Sequence, residues 1–186
     1  MTALRPVTPV ELYVGAYRIT GVTHRVDASH RLTDVLNSLN EAILLRNVTI
    51  SYVDGDDVEH VDEIKVEKSS IVAAVPREAH EVIVSRRAQW AGVARPPRTQ
   101  LEVVLLAPPF VVRGTAHVPR LPSLRPIELS SFARFFPITE VSLTFQGRPV
   151  YEGDVLLVNR EAVSSLGRVF GDDAATGGFD GDPEVA

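Results

Sequence analysis

The chain carries one internal duplication. Gly21 and His24 recur 93 residues later as Gly114 and His117, and Val48, Ile50 and Tyr52 recur at that offset as Val141, Leu143 and Phe145. Asp62, Ile64, Val66, Lys68 and Ile71 recur 92 residues later as Asp154, Leu156, Val158, Arg160 and Val163. Three separated blocks that keep register to within one residue point to one supersecondary unit used twice. The length of 186 residues suits two such units of roughly 80–90 residues each.

Within a unit the periodicity is mostly that of strands. Tyr17–Arg25 alternates, with Tyr17, Ile19, Gly21 and Thr23 on one face. Arg31–Asn40 then reads as a short helix, because Leu32, Val35, Leu36 and Leu39 form one apolar stripe. Ile43–Val53 returns to strand, and Asp54-Gly55-Asp56-Asp57 makes a turn. Val61–Val75 reads as two strands or one bent strand, broken at Ser69-Ser70, and its apolar end Ile71–Val75 is closed by Pro76. The second half follows the same plan. Leu101–Leu106 and Phe110–Val118 are strands, Ile127–Phe136 is the stretch able to be helical, and Thr139–Phe145 and Asp154–Val169 close the unit.

The expected fold is therefore mainly β, of the α+β class. It consists of two tandem β-β-α-β-β units, each a small curled sheet or partial barrel with one short helix, related by a pseudo-two-fold. The units span residues 10–76 and 101–170. An arginine-rich connecting segment covers 77–100, and a disordered acidic tail covers 171–186. A pseudo-two-fold with the first strands at its axis would bring His24 close to His117.

Composition narrows the function classes. There is no cysteine, which removes disulfides, thiolate catalysis and Cys-ligated metal centres. No apolar run reaches the ~18–20 residues of a membrane helix, and Met1–Val10 lacks the apolar core of a signal peptide. A soluble cytoplasmic protein is expected. The net charge of −5 disfavours non-specific nucleic-acid binding. Lys65 and Lys68 are the only lysines among 19 basic residues, as a GC-rich genome would produce. Scarce Met, absent Cys and 13 prolines are compatible with a thermophilic source.

The string Arg31-Leu32-Thr33-Asp34-Val35-Leu36-Asn37 resembles the R-L-x-D-x-L-N motif of an uncharacterised family of small bacterial domains. Asn159-Arg160-Glu161-Ala162-Val163 looks like the closing turn of that family, and Lys68-Ser69-Ser70-Ile71 like a degraded copy. The resemblance covers nearly the whole chain as two copies. The second copy departs from it, with Arg125-Pro126-Ile127-Glu128-Leu129-Ser130 at the motif position. The resemblance implies a fold and no activity.

No catalytic constellation emerges from the residues. His24, His30, His60, His80 and His117 form no H-x3-H or H-E-x-x-H pair, so no metal is expected. No G-x-S-x-G occurs, and Ser69-Ser70 and Ser164-Ser165 occupy equivalent repeat positions, as structural bends do. Gly177-Gly178-Phe179-Asp180-Gly181 has no strand before it or helix after it, so it is not a phosphate cradle. Asp54–Asp57 and Asp172–Asp182 do not match a calcium loop. The connecting segment is different. Arg86, Arg87, Trp90, Arg95 and Arg98 combine arginine with the single tryptophan, a composition common at protein interfaces. The expectation is a non-enzymatic protein-interaction or scaffold module without cofactor, engaging a protein partner or a second copy as a homodimer. The alternatives are a small barrel binding nucleic acid through those arginines and Trp90, and a small-molecule sensor with its pocket between the halves.

Overall fold

The computed structural model describes residues 7–24, 31–77, 98–119 and 128–169. Its strands are β1 (Val7–Val14), β2 (Tyr17–His24), β3 (Ala42–Tyr52), β4 (Val58–Glu67), β5 (Ile71–Pro76), β6 (Arg98–Ala107), β7 (Phe110–Pro119), β8 (Phe135–Phe145), β9 (Arg148–Asn159) and β10 (Ser165–Arg168). One α-helix, α1, spans Leu32–Leu36, and short 3-10 turns cover Lys68–Ser70, Leu129–Ser131 and Arg160–Ala162. The fold is mainly β, as the alternation of apolar and polar residues predicts.

All ten strands belong to one antiparallel sheet in the order β10-β6-β7-β8-β9-β5-β1-β2-β3-β4, and the sheet does not close. This replaces the expected pair of separately curled sheets. The two halves meet where β5 pairs with β9, through Ala73–Val158 and Ala74–Leu157. Four strands stand between β2, which carries His24, and β7, which carries His117, so those histidines do not meet.

The sheet buries opposite faces in its two halves. One buried cluster contains Val103, Leu105, Phe110, Val112, Ile138, Leu143, Phe145, Leu156 and Val158 together with Tyr13, Ala73 and Val75. The other contains Val10, Leu12, Ile19, Leu32, Leu36, Ile43, Leu45, Val48 and Ile71 together with Ala74, Phe135 and Leu157. Along β5 the side chains of Ala73 and Ala74 enter different clusters, and Leu157 and Val158 do the same along β9. A strand covered on both faces needs no polar alternation. That explains the unbroken apolar run Ile71–Val75, in which every residue is buried.

The recurring glycines sit at bulges. Pairing of β2 with β3 slips between Thr20 and Val22, and pairing of β7 with β8 slips between Arg113 and Thr115. Across from them Asn47 and Glu140 take left-handed backbone, with φ of 50° and 49°. A bulge brings the two backbones together and bends the strand. A Cβ on Gly21 would lie 3.0 Å from the Arg46 carbonyl oxygen, and one on Gly114 only 2.7 Å from that of Thr139. The repeated glycine is a steric requirement of the bend.

Two helix expectations need correction. The first helix is one turn and a half, Leu32–Leu36, rather than Arg31–Asn40. Asn37 ends it by turning its side chain to another strand, which also leaves Leu39 exposed. In the second half no helix forms over Ile127–Phe136 among the described residues. Leu129–Ser131 is a 3-10 turn, and β8 already begins at Phe135. Phe135 and Phe136 enter opposite clusters, which consecutive residues do in a strand and not in a helix.

Tyr13 closes the joint from the first half. Its ring meets Phe110 edge-on at 5.4 Å, and its hydroxyl donates to Glu11 Oε1 at 2.6 Å. Arg77 donates to the other oxygen of the buried Glu11 at 2.7 Å, and its guanidinium lies 6.0 Å from the Tyr151 ring centre. Burial, then the hydrogen bond and charge of Glu11, pushes the Tyr13 phenol well above its ordinary value. The folded state therefore holds a proton that the unfolded chain releases above about pH 10. Stability is expected to be intact below that pH and to fall as pH rises beyond it. Tyr13→Phe should reduce the alkaline slope in melting temperature; an unchanged slope would remove Tyr13 as its source.

Candidate interaction surface

The residues singled out by motif are largely occupied by the architecture. In the Arg31–Asn37 string, Leu32 and Leu36 are buried, and the Asp34 carboxylate accepts the Arg31 backbone N–H at 2.8 Å, which starts the helix. Asn37 spans the halves. Its Nδ2 donates to the Phe135 carbonyl at 2.9 Å, and its Oδ1 accepts the Phe135 N–H at 2.8 Å. The closing turn behaves alike. The fully buried Asn159 donates to the carbonyls of Lys68 and Ile71 at 3.2 and 2.8 Å and accepts the Glu161 N–H at 3.0 Å.

Lys68 is fully buried, and its ammonium donates to the carbonyls of Val35 and Ser38 and to the Ser38 hydroxyl, at 2.8, 3.1 and 3.0 Å. Both carbonyls lie at the C-terminal end of α1, where a cation is favoured by the helix dipole; that of Val35 also accepts the Ser38 N–H and hydroxyl, at 3.3 and 2.8 Å. Burial, with the charge of Arg134, holds the Lys68 ammonium below its ordinary value, against the pull of Glu41. Arg134 in turn pairs with Glu41 of the first half and Glu161 of the second, at 3.3 and 3.0 Å. Lys68→Met should destabilise the chain by about 1–3 kcal/mol, the usual cost of losing hydrogen bonds from a charged donor. Urea unfolding measures it, and no change in midpoint would show that the bonds contribute nothing net.

The sequence missed the structural roles of Lys68 and Tyr13. Lys68 lay in a turn string without an acidic partner, and Tyr13 in a short apolar stretch. Asn37 and Asn159 were legible as parts of motifs, but their partners are 98 and 88–91 residues away.

His30 and His80 lie outside the described residues, and the other three histidines pair across neighbouring strands. His24 Nε2 lies 3.3 Å from Arg46, His60 Nδ1 3.2 Å from the Thr49 hydroxyl, and His117 Nε2 2.8 Å from the Thr139 hydroxyl. Among the described residues no group of three or more His, Asp or Glu converges on a point that would hold a metal. Ser70 and Ser164 donate to the carbonyls of Glu67 and Leu106, so both serve turns. Two shallow clefts flank β3 and β4. One, of about 250 Å³, is lined by Asn47, Thr49, His60 and Asp62; the other, of about 200 Å³, by Tyr17, Ile50, Tyr52 and Glu59. The joint between the halves is filled by Tyr13, Ala73, Ala74, Phe135, Leu157 and Val158.

Of the arginine and tryptophan group, Arg86, Arg87, Trp90 and Arg95 lie outside the described residues. Arg98 opens β6 and is exposed. Among the described residues β10 pairs with β6 from Val103 to Leu106, and the Val169 N–H adds a bond to the Glu102 carbonyl, so Arg98 lies beyond that pairing.

The exposed large apolar side chains include Tyr17, Tyr52, Leu106 and Val169, at 41, 46, 43 and 41% of full exposure. Tyr17 and Tyr52 lie on the β2–β3 pair, with rings 4.6 Å apart and hydroxyls hydrogen-bonded at 3.0 Å. Leu106 and Val169 lie at the β6–β10 end. Among the described residues the sheet thus ends at β4 on one side and β10 on the other, each beside exposed apolar side chains. No helix among the described residues is long and apolar enough to cross a membrane. No family model, curated protein or solved structure matches the chain.

Proposed function

We propose that this protein is a non-enzymatic interaction or scaffold module, formed by duplicating one five-stranded unit, whose partners are proteins that engage the two free ends of its sheet. The open ten-stranded sheet carries this reading. An exposed strand edge is a template for another chain, whose backbone completes the ladder.

The duplication is supported by order and by detail. The first half runs β5-β1-β2-β3-β4 across the sheet, and the second runs β10-β6-β7-β8-β9. The Lys68 N–H donates to the Glu41 carbonyl, and the Arg160 N–H to that of Arg134, at positions equivalent within the repeat. A scaffold reading is further supported by the consumption of Asn37, Lys68 and Asn159 in holding the backbone. The exposed Arg98 at the start of β6 joins the expected partner-binding set of Arg86, Arg87, Trp90 and Arg95.

Affinity capture from the native cell lysate, followed by cross-link mapping, tests the reading. The wild-type chain should recover a defined protein in near-stoichiometric amount, cross-linked to β4, β6 or β10. A folded Leu106→Glu/Tyr52→Asp chain should lose it. Equal recovery by both chains, or no protein recovered by either, would overturn the reading.

A further inference from the structure

The joint inside the chain supplies a template for a joint between chains. Tyr13 of the first half meets Phe110 of the second edge-on, Phe110 packs on Phe145, and all three share one buried cluster, with the two phenylalanines 1 and 4% exposed. The repeat makes Tyr17 and Tyr52 the counterparts of Phe110 and Phe145, and Leu106 the counterpart of Tyr13. Val169 likewise corresponds to Arg77, whose guanidinium lies 6.0 Å from the ring centre of Tyr151 in the second half. The uncovered aromatic pair at one end of the sheet and the exposed aliphatic group at the other are therefore the two sides of a contact that the chain already makes once.

We propose that this chain associates with a second copy of itself head to tail, the β6–β10 end of one copy seating on the β3–β4 end of the next. The proposal rests on the interaction reading above and names the partner. Leu106 and Val169 of one copy cover Tyr17 and Tyr52 of the other, while β10 pairs with β4 as β5 pairs with β9. The register of the internal joint sets Ser165 across from Val66 and Leu166 across from Lys65. It sets Arg168 across from Glu63. The internal joint needs only two ladder pairs, so the four residues of β10 suffice. The ends are unlike surfaces, so each copy keeps a free end and growth beyond a dimer follows.

The joint between copies is weaker than the one it copies. Lys65 and Glu67 stand where β9 has Leu157 and Asn159. Leu157 is buried, and Asn159 donates to two carbonyls, which a carboxylate cannot do. Association is therefore reversible, and Lys65→Leu/Glu67→Asn should tighten it by about tenfold or more.

Sedimentation velocity on the purified full chain tests this. The mass of the wild type should rise with concentration. Leu106→Glu and Tyr52→Asp, both at largely exposed positions, should each stay monomeric alone while keeping the far-ultraviolet spectrum and cooperative melting of a folded chain. Mixed in equal amounts they should form a one-to-one dimer and nothing larger, because one sound head meets one sound tail. A wild type that stays monomeric, or a mixture that fails to pair while the wild type associates, would overturn the proposal. If the wild type is monomeric but the end variants still lose a different captured protein, self-pairing falls and the interaction reading stands. If capture is also indifferent to the ends, both fall.

Discussion

Gly114→Ala is expected to destabilise the chain by about 2–4 kcal/mol, in the range of severe core overpacking. The added methyl would stand 2.7 Å from both Ile138 Cγ2 and the Thr139 carbonyl oxygen, and 3.1 Å from that of Glu140. Ile138 is fully buried, and the two carbonyls belong to the bulged strand, so neither neighbour yields cheaply. The equivalent Gly21→Ala meets the Arg46 carbonyl at 3.0 Å and Val48 Cγ2 at 3.3 Å, and a smaller loss of about 0.5–1.5 kcal/mol follows. Paired denaturation curves check both the size and the order. Equal, small losses would mean that the bulges relax and that the repeated glycine has another cause.

Asn159→Leu is expected to cost about 2–4 kcal/mol, although the two side chains share one branched shape with four heavy atoms each. The substitution leaves the Ile71 carbonyl and the half-buried Glu161 N–H without the Asn159 side chain, and leaves the Lys68 carbonyl with the Ile71 N–H alone. Each stranded buried group carries a desolvation penalty of about 1–3 kcal/mol, partly recovered by burial of the new apolar side chain. Because Asn159 links the end of β9 to the turn before β5, amide exchange should accelerate first in Lys68–Ile71 and along β5. Uniform acceleration over both halves would show that the joint and the units unfold as one.

The two asparagines show what sequence could and could not convey. A short helix containing Leu32 and Leu36 was legible, since their spacing is a local property, although it stops at Leu36 rather than Asn40. That Asn37 grips the backbone of Phe135 was not legible, because nothing local encodes a partner 98 residues away. The helix expected over Ile127–Phe136 failed for a similar reason. Apolar residues in that stretch suit helix or strand, and the choice is made by two clusters on opposite faces that take Phe135 and Phe136 separately.

Among the expected partner-binding residues, only Arg98 falls on the described surface, and composition alone did not point to the ends of the sheet. Tyr17, Tyr52 and Leu106 look like ordinary strand residues in the sequence. Their exposure becomes informative only against their buried counterparts Phe110, Phe145 and Tyr13.

The sequence by itself determined the mainly β character and the apolar run of β5, because periodicity acts within a few residues. Only the tertiary structure decided that the two units continue one sheet, that they bury opposite faces, and that the sheet stays open at both ends. Those outcomes depend on which edge meets which. The edges present nearly the same backbone, and the side chains that select between them, Tyr13, Ala73, Ala74, Leu157 and Asn159, act across separations that no local pattern records.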